Sequence, residues 1–341
     1  MPALPPSLSP VQALREVAFW LERDRADTYR VKAYRKAADA LAALDPDDLA
    51  ILGEAHAWAT IPGVGPKTAA VVDQAWSGRV PDQLADLREA GRAPLAPSAL
   101  RALVRGDLHS HTTWSDGGSP LWEMVATAEH LGHEYLAITD HSPRLKVANG
   151  LSRERLLAQW DEIDALAPDV GVRVLKGIEV DILADGSLDQ APDLLGRLDI
   201  VVASVHSDLR ADSATMTRRM VGAIASRHTN VLGHCTGRLV EGTRGTRPES
   251  VFDAEVVFEA CRQFNVAVEI NSRPERCDPP DRLLELARDI GCLFSIDTDA
   301  HAPGQLCFLD LGCARAEAAG IAPERIITTW PADELLAFCS G

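Results

Sequence analysis

Histidines and carboxylates stand at the ends of several short apolar runs in this 341-residue sequence, all of them after residue 105. The first run ends in His109 and His111 and is followed by Asp116. The later runs supply His141, Glu179, His206, His234, Asp299 and His301. Imidazole and carboxylate donors together favour zinc, manganese or iron over calcium, and this many donors suit two or three ions better than one. Clustered divalent ions activate water and hold a phosphoryl oxygen, so the pattern predicts hydrolysis of a phosphate ester.

The apolar runs that carry these residues alternate with amphipathic stretches. The runs predict strands over 106–111, 135–141, 172–180, 199–206, 231–234, 266–271 and 293–299. The stretches between them predict helices over 120–131, 153–165, 213–227, 249–264 and 282–290. This alternation predicts an α/β fold in which a parallel sheet closes into a barrel. All strands then end on one face, and residues two apart on a strand, such as His109 and His111, point the same way.

A single histidine at the end of a strand is most often a structural residue. Here every predicted strand except the sixth ends on a residue that can bind a metal, and this agreement favours a metal site over coincidence. The remaining histidines lie outside the pattern, and we interpret them as structural: His56, His130, His133 and His228.

The motif GDLHSHTTWSDG at 106–117 and the segment YLAITDH at 135–141 resemble the polymerase and histidinol phosphatase (PHP) domain family. The resemblance continues through GIEVDIL at 177–183, VASVHS at 202–207, LGH at 232–234, EIN at 269–271 and DTDAH at 297–301. Within the family it is strongest to the PHP domain at the C-terminus of bacterial family X DNA polymerases. It implies a distorted (β/α)7 barrel of the TIM type that binds three divalent ions, which would be Zn, Mn or Fe.

The resemblance also implies how the ions are held. The first ion would be bound by His109, His111, Glu179 and Asp299, the second by Glu179, His206 and His234, and the third by Asp116, His141 and His301. Glu179, His206 and Asp299 are the candidate catalytic residues. Some relatives carry histidine at the position of Asp116. An oxygen donor there is a harder, less polarizable ligand than an imidazole, and it favours manganese at the third site. Candidates for holding the substrate phosphate follow strand ends: Arg144, Lys146, Arg238, Arg273 and Arg276.

The first part of the chain predicts helices alone, over 11–22, 28–44 and 47–59, with a further helix that ends near residue 76. The segment IPGVGPKT at 61–68 is typical of a helix-hairpin-helix, in which Gly63 and Gly65 let backbone N–H groups approach a DNA phosphate and Lys67 adds charge. Arg35, with Arg30, Lys32 and Lys36, is a further candidate for DNA contact. We therefore expect a helical DNA-binding domain over 1–90, a linker over 91–105 and a phosphoesterase domain over 106–341.

The segment YRVKAYRKAA at 29–38, together with the hairpin, resembles the small N-terminal domain with which the same polymerases bind DNA ends. Two departures limit what this implies. Val71 stands where the lyase domains of that family carry the lysine that forms an imine, so lyase activity by that route is not expected. The short segment between the hairpin helix and residue 106 leaves no room for a polymerase palm, so polymerase activity is not expected either.

The charge of the sequence is unevenly divided. The net charge is −16, whereas residues 1–105 hold 13 basic and 13 acidic side chains, so the whole excess of acid follows residue 105. This excludes a protein whose entire surface binds nucleic acid. Residues 1–10 contain no secretory signal, no stretch is apolar enough for a membrane, and no cysteine lies in a CxxC pair, so a cytoplasmic protein is expected.

Three functions remain open at this point. The first is a metal-dependent phosphoesterase that acts on DNA ends or gaps, as an exonuclease, an abasic-site endonuclease or a 3′-phosphatase. The second is a small-molecule phosphatase, for example one that acts on histidinol phosphate. The third is a DNA-binding module without catalysis. The sequence identifies no protein partner.

Overall fold

Two units, divided between Pro94 and Leu95, make up the computed structural model, which describes residues 8–242 and 245–340. Residues 1–7, part of the segment in which no secretory signal is predicted, lie outside the described residues. Residues 95–105 of the predicted 91–105 linker are part of the second unit. The Leu95 N–H donates to Asp310 Oδ2 at 2.9 Å, and the Ala99 N–H donates to Glu317 Oε2 at 3.0 Å.

Helices form the first unit over residues 8–94. They are α1 (Pro10–Arg23), α2 (Thr28–Ala42), α3 (Pro46–Glu54), α4 (Pro66–Trp76) and α5 (Asp82–Ala90). Their apolar faces bury Leu14, Tyr34, Leu41 and Trp58 in one core. The sequence predicts that the third helix continues to residue 59, which is wrong. The helix ends at Glu54, and His56 takes a left-handed φ of +49°, after which Trp58 is buried.

The second unit contains a seven-stranded parallel sheet within residues 95–242 and 245–340, which confirms the predicted α/β barrel class. The strands are β1 (Gly106–Asp107), β2 (Tyr135–Ile138), β3 (Arg173–Asp181), β4 (Ile200–Ser204), β5 (Val231–Leu232), β6 (Ala267–Asn271) and β7 (Phe294–Asp297). Each strand pairs with the next in sequence order. The helices of this unit are α6 (Leu121–His130), α7 (Arg153–Leu166), α8 (Pro192–Leu195), α9 (Ser213–Ile224), α10 (Ala254–Phe264), α11 (Asp281–Ile290), α12 (Leu309–Ala318) and α13 (Ala332–Cys339).

The edge between β1 and β7 is closed by side chains rather than by a continuous ladder. Asp297 Oδ1 accepts from the Leu108 N–H at 2.8 Å, and Asp107 Oδ1 accepts from the Thr298 N–H at 3.2 Å. Further along, the His111 N–H donates to the carbonyl of Ala300 at 2.8 Å. Strand β1 is therefore shorter than the predicted 106–111, because carboxylates replace ladder bonds where the barrel closes.

Alternation along each strand divides the core into an inner and an outer layer. In β4, Ile200 and Val202 face the barrel interior, while Val201 and Ala203 pack towards the helices. The same period in β3 points Leu175 and then Glu179 inward. Gly177 lies between them, where a Cβ atom would come within 2.7 Å of the Thr139 side chain. Among the described residues, no helix combines the length and apolar character that a membrane crossing needs.

Candidate metal centre

The predicted ligands follow the carboxyl ends of the strands and converge on one face of the second unit. Glu179 lies near the end of β3, is buried, and is the centre of the cluster. Its Oε2 lies 3.3 Å from His109 Nε2, 3.5 Å from His111 Nε2 and 3.0 Å from His141 Nδ1. Its Oε1 lies 3.2 Å from His206 Nε2 and 2.8 Å from His234 Nε2. One carboxylate therefore faces imidazoles from four neighbouring strand ends.

Two aspartates complete the cluster at different depths. Asp299 is buried, and its Oδ1 lies 3.4 Å from His111 Nε2. Asp116 is the outermost member, with 35% of its side chain exposed, and its Oδ1 lies 3.5 Å from the Nε2 atoms of both His141 and His301. Exposure thus rises from the barrel interior towards Asp116, which indicates the side from which a substrate reaches the cluster.

The donor set fits divalent metal ions. Among the described residues, the ligand-type atoms fall into four overlapping groups: His111 with Asp116, His141 and His301; His109 with His111 and Asp299; His109 with Glu179 and His234; and His141 with Glu179 and His206. Several buried imidazole nitrogens have no hydrogen-bond partner among the described residues, including His109 Nε2, His111 Nε2 and His206 Nε2. Buried polar atoms normally have a partner, and metal ions would provide one for these nitrogens.

The mutual contacts lower the proton affinities of both Glu179 and His111. Burial opposes the charge of Glu179, but the imidazoles of His109, His206 and His141 outweigh it and hold the pKa of this carboxyl well below its ordinary value. Burial and the neighbouring His301 and His141 lower the pKa of His111 to about 3. The neutral imidazole and the ionised carboxylate are the forms that bind metals, so these shifts leave His111 and Glu179 ready for an ion near neutral pH.

Buried acids that the strand-end pattern does not identify accept hydrogen bonds from several ligands, or from the loop beside a ligand. Glu269 Oε1 accepts from His109 Nδ1 at 2.5 Å, and Asp181 Oδ1 accepts from His206 Nδ1 at 2.7 Å. Asp140 accepts from the backbone N–H groups of Thr112 and Ser115, in the loop that leads to Asp116. The available signal was an acidic residue inside an otherwise apolar strand, because a buried carboxylate needs a partner.

The predicted phosphate-holding residues have different surroundings. Arg273 donates to the Asp299 carbonyl at 3.1 Å, and Arg276 Nε donates to Asp299 Oδ2 at 2.9 Å, so both lie at the cluster. Arg144 and Lys146 have exposed side chains in the loop that follows His141. Arg238 donates to the backbone carbonyls of Arg276 and Cys277 and pairs with Glu249. Arg238 therefore supports the 273–278 loop, which argues against the predicted contact with phosphate.

The predicted DNA-binding residues lie in the first unit. Gly63 has a left-handed φ of +95°, and a Cβ atom added there would lie 3.0 Å from Lys36 Cε, so the lysine stem runs along the hairpin. Nothing lies within 4 Å of a Cβ added at Gly65, and Lys67 is exposed. Arg35 instead forms a two-pronged ion pair with Glu22, at 2.7 and 2.8 Å, with 11% of its side chain exposed. This pairing holds Arg35 inside the unit and argues against its predicted role.

Both parts of the chain match known protein families. Residues 107–273 match the family model described as PHP domain, and residues 6–79 match the one described as helix-hairpin-helix domain. The DNA polymerase/3′-5′ exonuclease PolX of Bacillus subtilis is 43% identical over 199 residues, which are 58% of this chain. The chain spans only 34% of the length of that polymerase.

Phosphatases are similar as well. A probable phosphatase of Aliivibrio fischeri (strain MJ11) is 30% identical over 240 residues, covering 65% of this chain and 88% of the phosphatase. The crystal structure of a histidinol phosphate phosphatase from Lactococcus lactis, complexed with zinc, L-histidinol and phosphate, has a TM-score of 0.48 and 17% identity, covering 64% of this chain and 95% of that one.

Proposed function

The chain belongs to the PHP family of metal-dependent phosphoesterases, and from that premise we propose that it hydrolyses phosphate esters at DNA ends or gaps through a three-ion site. The observation that carries this proposal is the occurrence, in one chain, of a hairpin unit and a ligand cluster in which every predicted position holds a competent side chain.

The proposed ligand sets follow the predicted division. His109, His111, Glu179 and Asp299 would hold the first ion, Glu179, His206 and His234 the second, and Asp116, His141 and His301 the third. When bound, such ions would supply Lewis-acid activation of water and neutralise charge that develops on the phosphoryl group. The contacts around Glu179 support its sharing between sites, because its two oxygens face different histidines.

The chain's own residues would orient the ester. Arg273 and Arg276 lie against Asp299, and one guanidinium nitrogen of Arg276, Nη1, is buried with no hydrogen-bond partner among the described residues. A guanidinium in this position would donate to a non-bridging phosphate oxygen. The exposed rim at Asp116 would leave room for the rest of the strand.

A nuclease assay with a matched variant tests the catalytic part. We expect the purified protein with Mn²⁺ to release nucleotides from end-labelled gapped DNA, and Glu179→Gln to lower the rate by about 10³-fold or more, since the buried carboxylate contacts most of the cluster. Glu255→Gln, an exposed acid on α10, is the control and should leave the rate unchanged. Equal rates for Glu179→Gln and wild type would contradict the proposal.

The salt dependence of DNA binding tests the hairpin part. The first N–H groups of α4 point out of the helix, and Lys36 and Lys67 lie at the same loop. We expect Lys36→Ala with Lys67→Ala to weaken binding and to reduce the slope of log K against log salt by about 1–2, as the loss of one or two phosphate contacts requires. Arg92→Ala removes an exposed charge elsewhere in the unit and should keep the slope. An unchanged slope in the double variant would refute the hairpin contact.

A small-molecule phosphatase is the second candidate, and the charge distribution favours it. The whole net charge of −16 follows residue 105, which opposes the approach of a polyanion more than that of a single phosphate group. Histidinol phosphate is therefore assayed beside the DNA substrates. Turnover of histidinol phosphate alone would replace the first proposal, whereas DNA binding without turnover of either substrate would favour a non-catalytic module.

A further inference from the structure

The sixth strand is the one predicted strand whose end supplies no ligand, yet it places a buried acid inside the cluster. Glu269 lies in the middle of β6 and has no exposed surface. Its Oε1 lies 2.5 Å from His109 Nδ1, and its Oε2 accepts the backbone N–H of His234 at 2.5 Å. Asn271 Nδ2 also donates to Oε2 at 3.2 Å. Both carboxylate oxygens therefore accept hydrogen bonds from protein donors. In this respect Glu269 differs from Glu179 and Asp299, whose oxygens face the Nε2 atoms of histidines.

The bond to His109 selects one tautomer of the imidazole. A carboxylate only accepts hydrogen bonds, so Nδ1 of His109 must carry the proton. In the neutral imidazole, the Nε2 lone pair then lies on the side of Glu179 Oε2, 3.3 Å away. Metal-ligating histidines commonly donate their second ring N–H to a carboxylate, which fixes the ring and strengthens the ligand.

The bond to His234 acts on the backbone instead of the ring. His234 has a φ of +20°, which is unfavourable for a residue with a Cβ atom, and such a conformation persists only where the surroundings enforce it. The Glu269 carboxylate holds the N–H of this residue, while His234 Nε2 lies 2.8 Å from Glu179 Oε1. His109, Glu179 and His234 form one of the ligand groups, and Glu269 contacts two of its three members.

We propose that Glu269 is a positioning residue: it sets the tautomer of His109 and the backbone of His234, and thereby fixes one proposed ligand of the first ion and one of the second, the two ions that Glu179 would share. This inference rests on the ligand roles proposed above. Asn271 extends the same network, because its amide also donates to Asp299 Oδ2 at 3.3 Å. The sixth strand thus orients ligands that the other strands supply.

Nitrogen-15 NMR of the histidine side chains in the wild-type protein gives the first test, and it needs no variant at position 269. We expect the His109 signal, assigned by its loss in His109→Gln, to show a protonated Nδ1. Glutamine at 269 would lose one acceptor, so Glu269→Gln should change this signal. A wild-type His109 whose Nδ1 carries no proton would overturn the inference.

Metal binding gives the second test, with Asp181→Asn as the matched variant, since Asp181 holds Nδ1 of His206 in the same way. We expect Glu269→Gln to weaken the binding of the first and second ions by about 10–100-fold, measured by chelator competition, and to change the NMR signals of His109 and His234 but not that of His206. Asp181→Asn should change the His206 signal and spare that of His109. If a folded Glu269→Gln protein bound every ion with wild-type affinity, the proposed role of Glu269 would be contradicted, while the proposed function would stand. If the wild-type protein bound no metal ion, the proposed function would be contradicted. The protonation of His109 Nδ1 would still test whether Glu269 positions His109.

Discussion

Asp116 differs from the other ligands proposed for the third ion because it offers an oxygen where His141 and His301 offer nitrogens. Its Oδ1 is equally distant, 3.5 Å, from the Nε2 atoms of the two histidines. It is also the most exposed member of the cluster, so the ion held there would exchange most readily with solvent. The identity of this one side chain should therefore influence which metal the third site prefers.

Asp116→His tests this preference directly. We expect the variant to raise the ratio of zinc to manganese affinity at the third site by about 10-fold, because an imidazole is a softer donor than a carboxylate. Asp116→Asn is the control: it keeps an oxygen donor, loses the charge, and should weaken both metals without changing their ratio. Competition titrations with a metal-sensitive dye measure both affinities. A ratio that histidine leaves unchanged would exclude Asp116 from the ligands of the third ion.

At the scale of the elements, a repeated pair of hydrogen bonds, which we call the Asp–Thr clasp, fixes the loops that carry the ligands. In it, one buried aspartate accepts both the N–H and the hydroxyl of a threonine. Among the described residues near the cluster it occurs three times, as Asp107 with Thr298, Asp140 with Thr112 and Asp278 with Thr236. Each clasp joins a segment next to a ligand to a neighbouring strand end or loop, so the clasps hold the relative positions of the ligands.

Removal of one clasp should destabilise the fold and also loosen the ligand beyond it. We expect Asp140→Ala to lower the free energy of unfolding by about 2–3 kcal/mol, because it leaves buried donors of Thr112, Ser115 and Gln159 without an acceptor. The ion bound through Asp116 should weaken as well. Asp212→Ala removes the same contact to Thr215 at an exposed helix start, where a smaller loss of stability and no change in metal affinity are expected. Denaturant melts and metal titrations measure the two effects, and equal metal affinity in both variants would refute the positioning role.

The arrangement of strands and loops also explains which parts of the fold and of the ligand cluster the sequence predicts. The strand ends predict the cluster because parallel strands bring their carboxyl ends to one face, whatever the distance along the chain. The clasps and Glu269 escape prediction because their partners are far apart in sequence, as with His109 and Glu269, and nothing in local spacing pairs them. The pairing of Arg35 with Glu22 escapes prediction for the same reason, because the two residues lie on different helices.

At the scale of the whole molecule, a buried histidine away from the cluster makes stability depend on pH. His133, just before β2, is buried, and neither ring nitrogen has a hydrogen-bond partner among the described residues. Burial, together with the nearby Arg101 charge, lowers the pKa of His133 from 6.5 to about 3. The folded protein therefore binds fewer protons than the unfolded chain between these two values, so this group's contribution is complete above pH 6.5 and is lost as the pH falls through the window.

His133→Leu should remove this contribution to the pH dependence. Between pH 7 and pH 5, we expect the free energy of unfolding of the wild type to fall by about 2 kcal/mol more than that of the variant. The reason is that this interval covers only the upper part of the range between the two pKa values. The comparison is made between two metal-free proteins, so that the cluster histidines titrate alike in both and cancel. His228→Leu is the control, because His228 is only partly buried, its pKa is lowered less than that of His133, and its replacement should change the pH dependence less. Urea melts at the two pH values give the four free energies, and parallel pH profiles for wild type and His133→Leu would show that His133 is not held neutral in the fold.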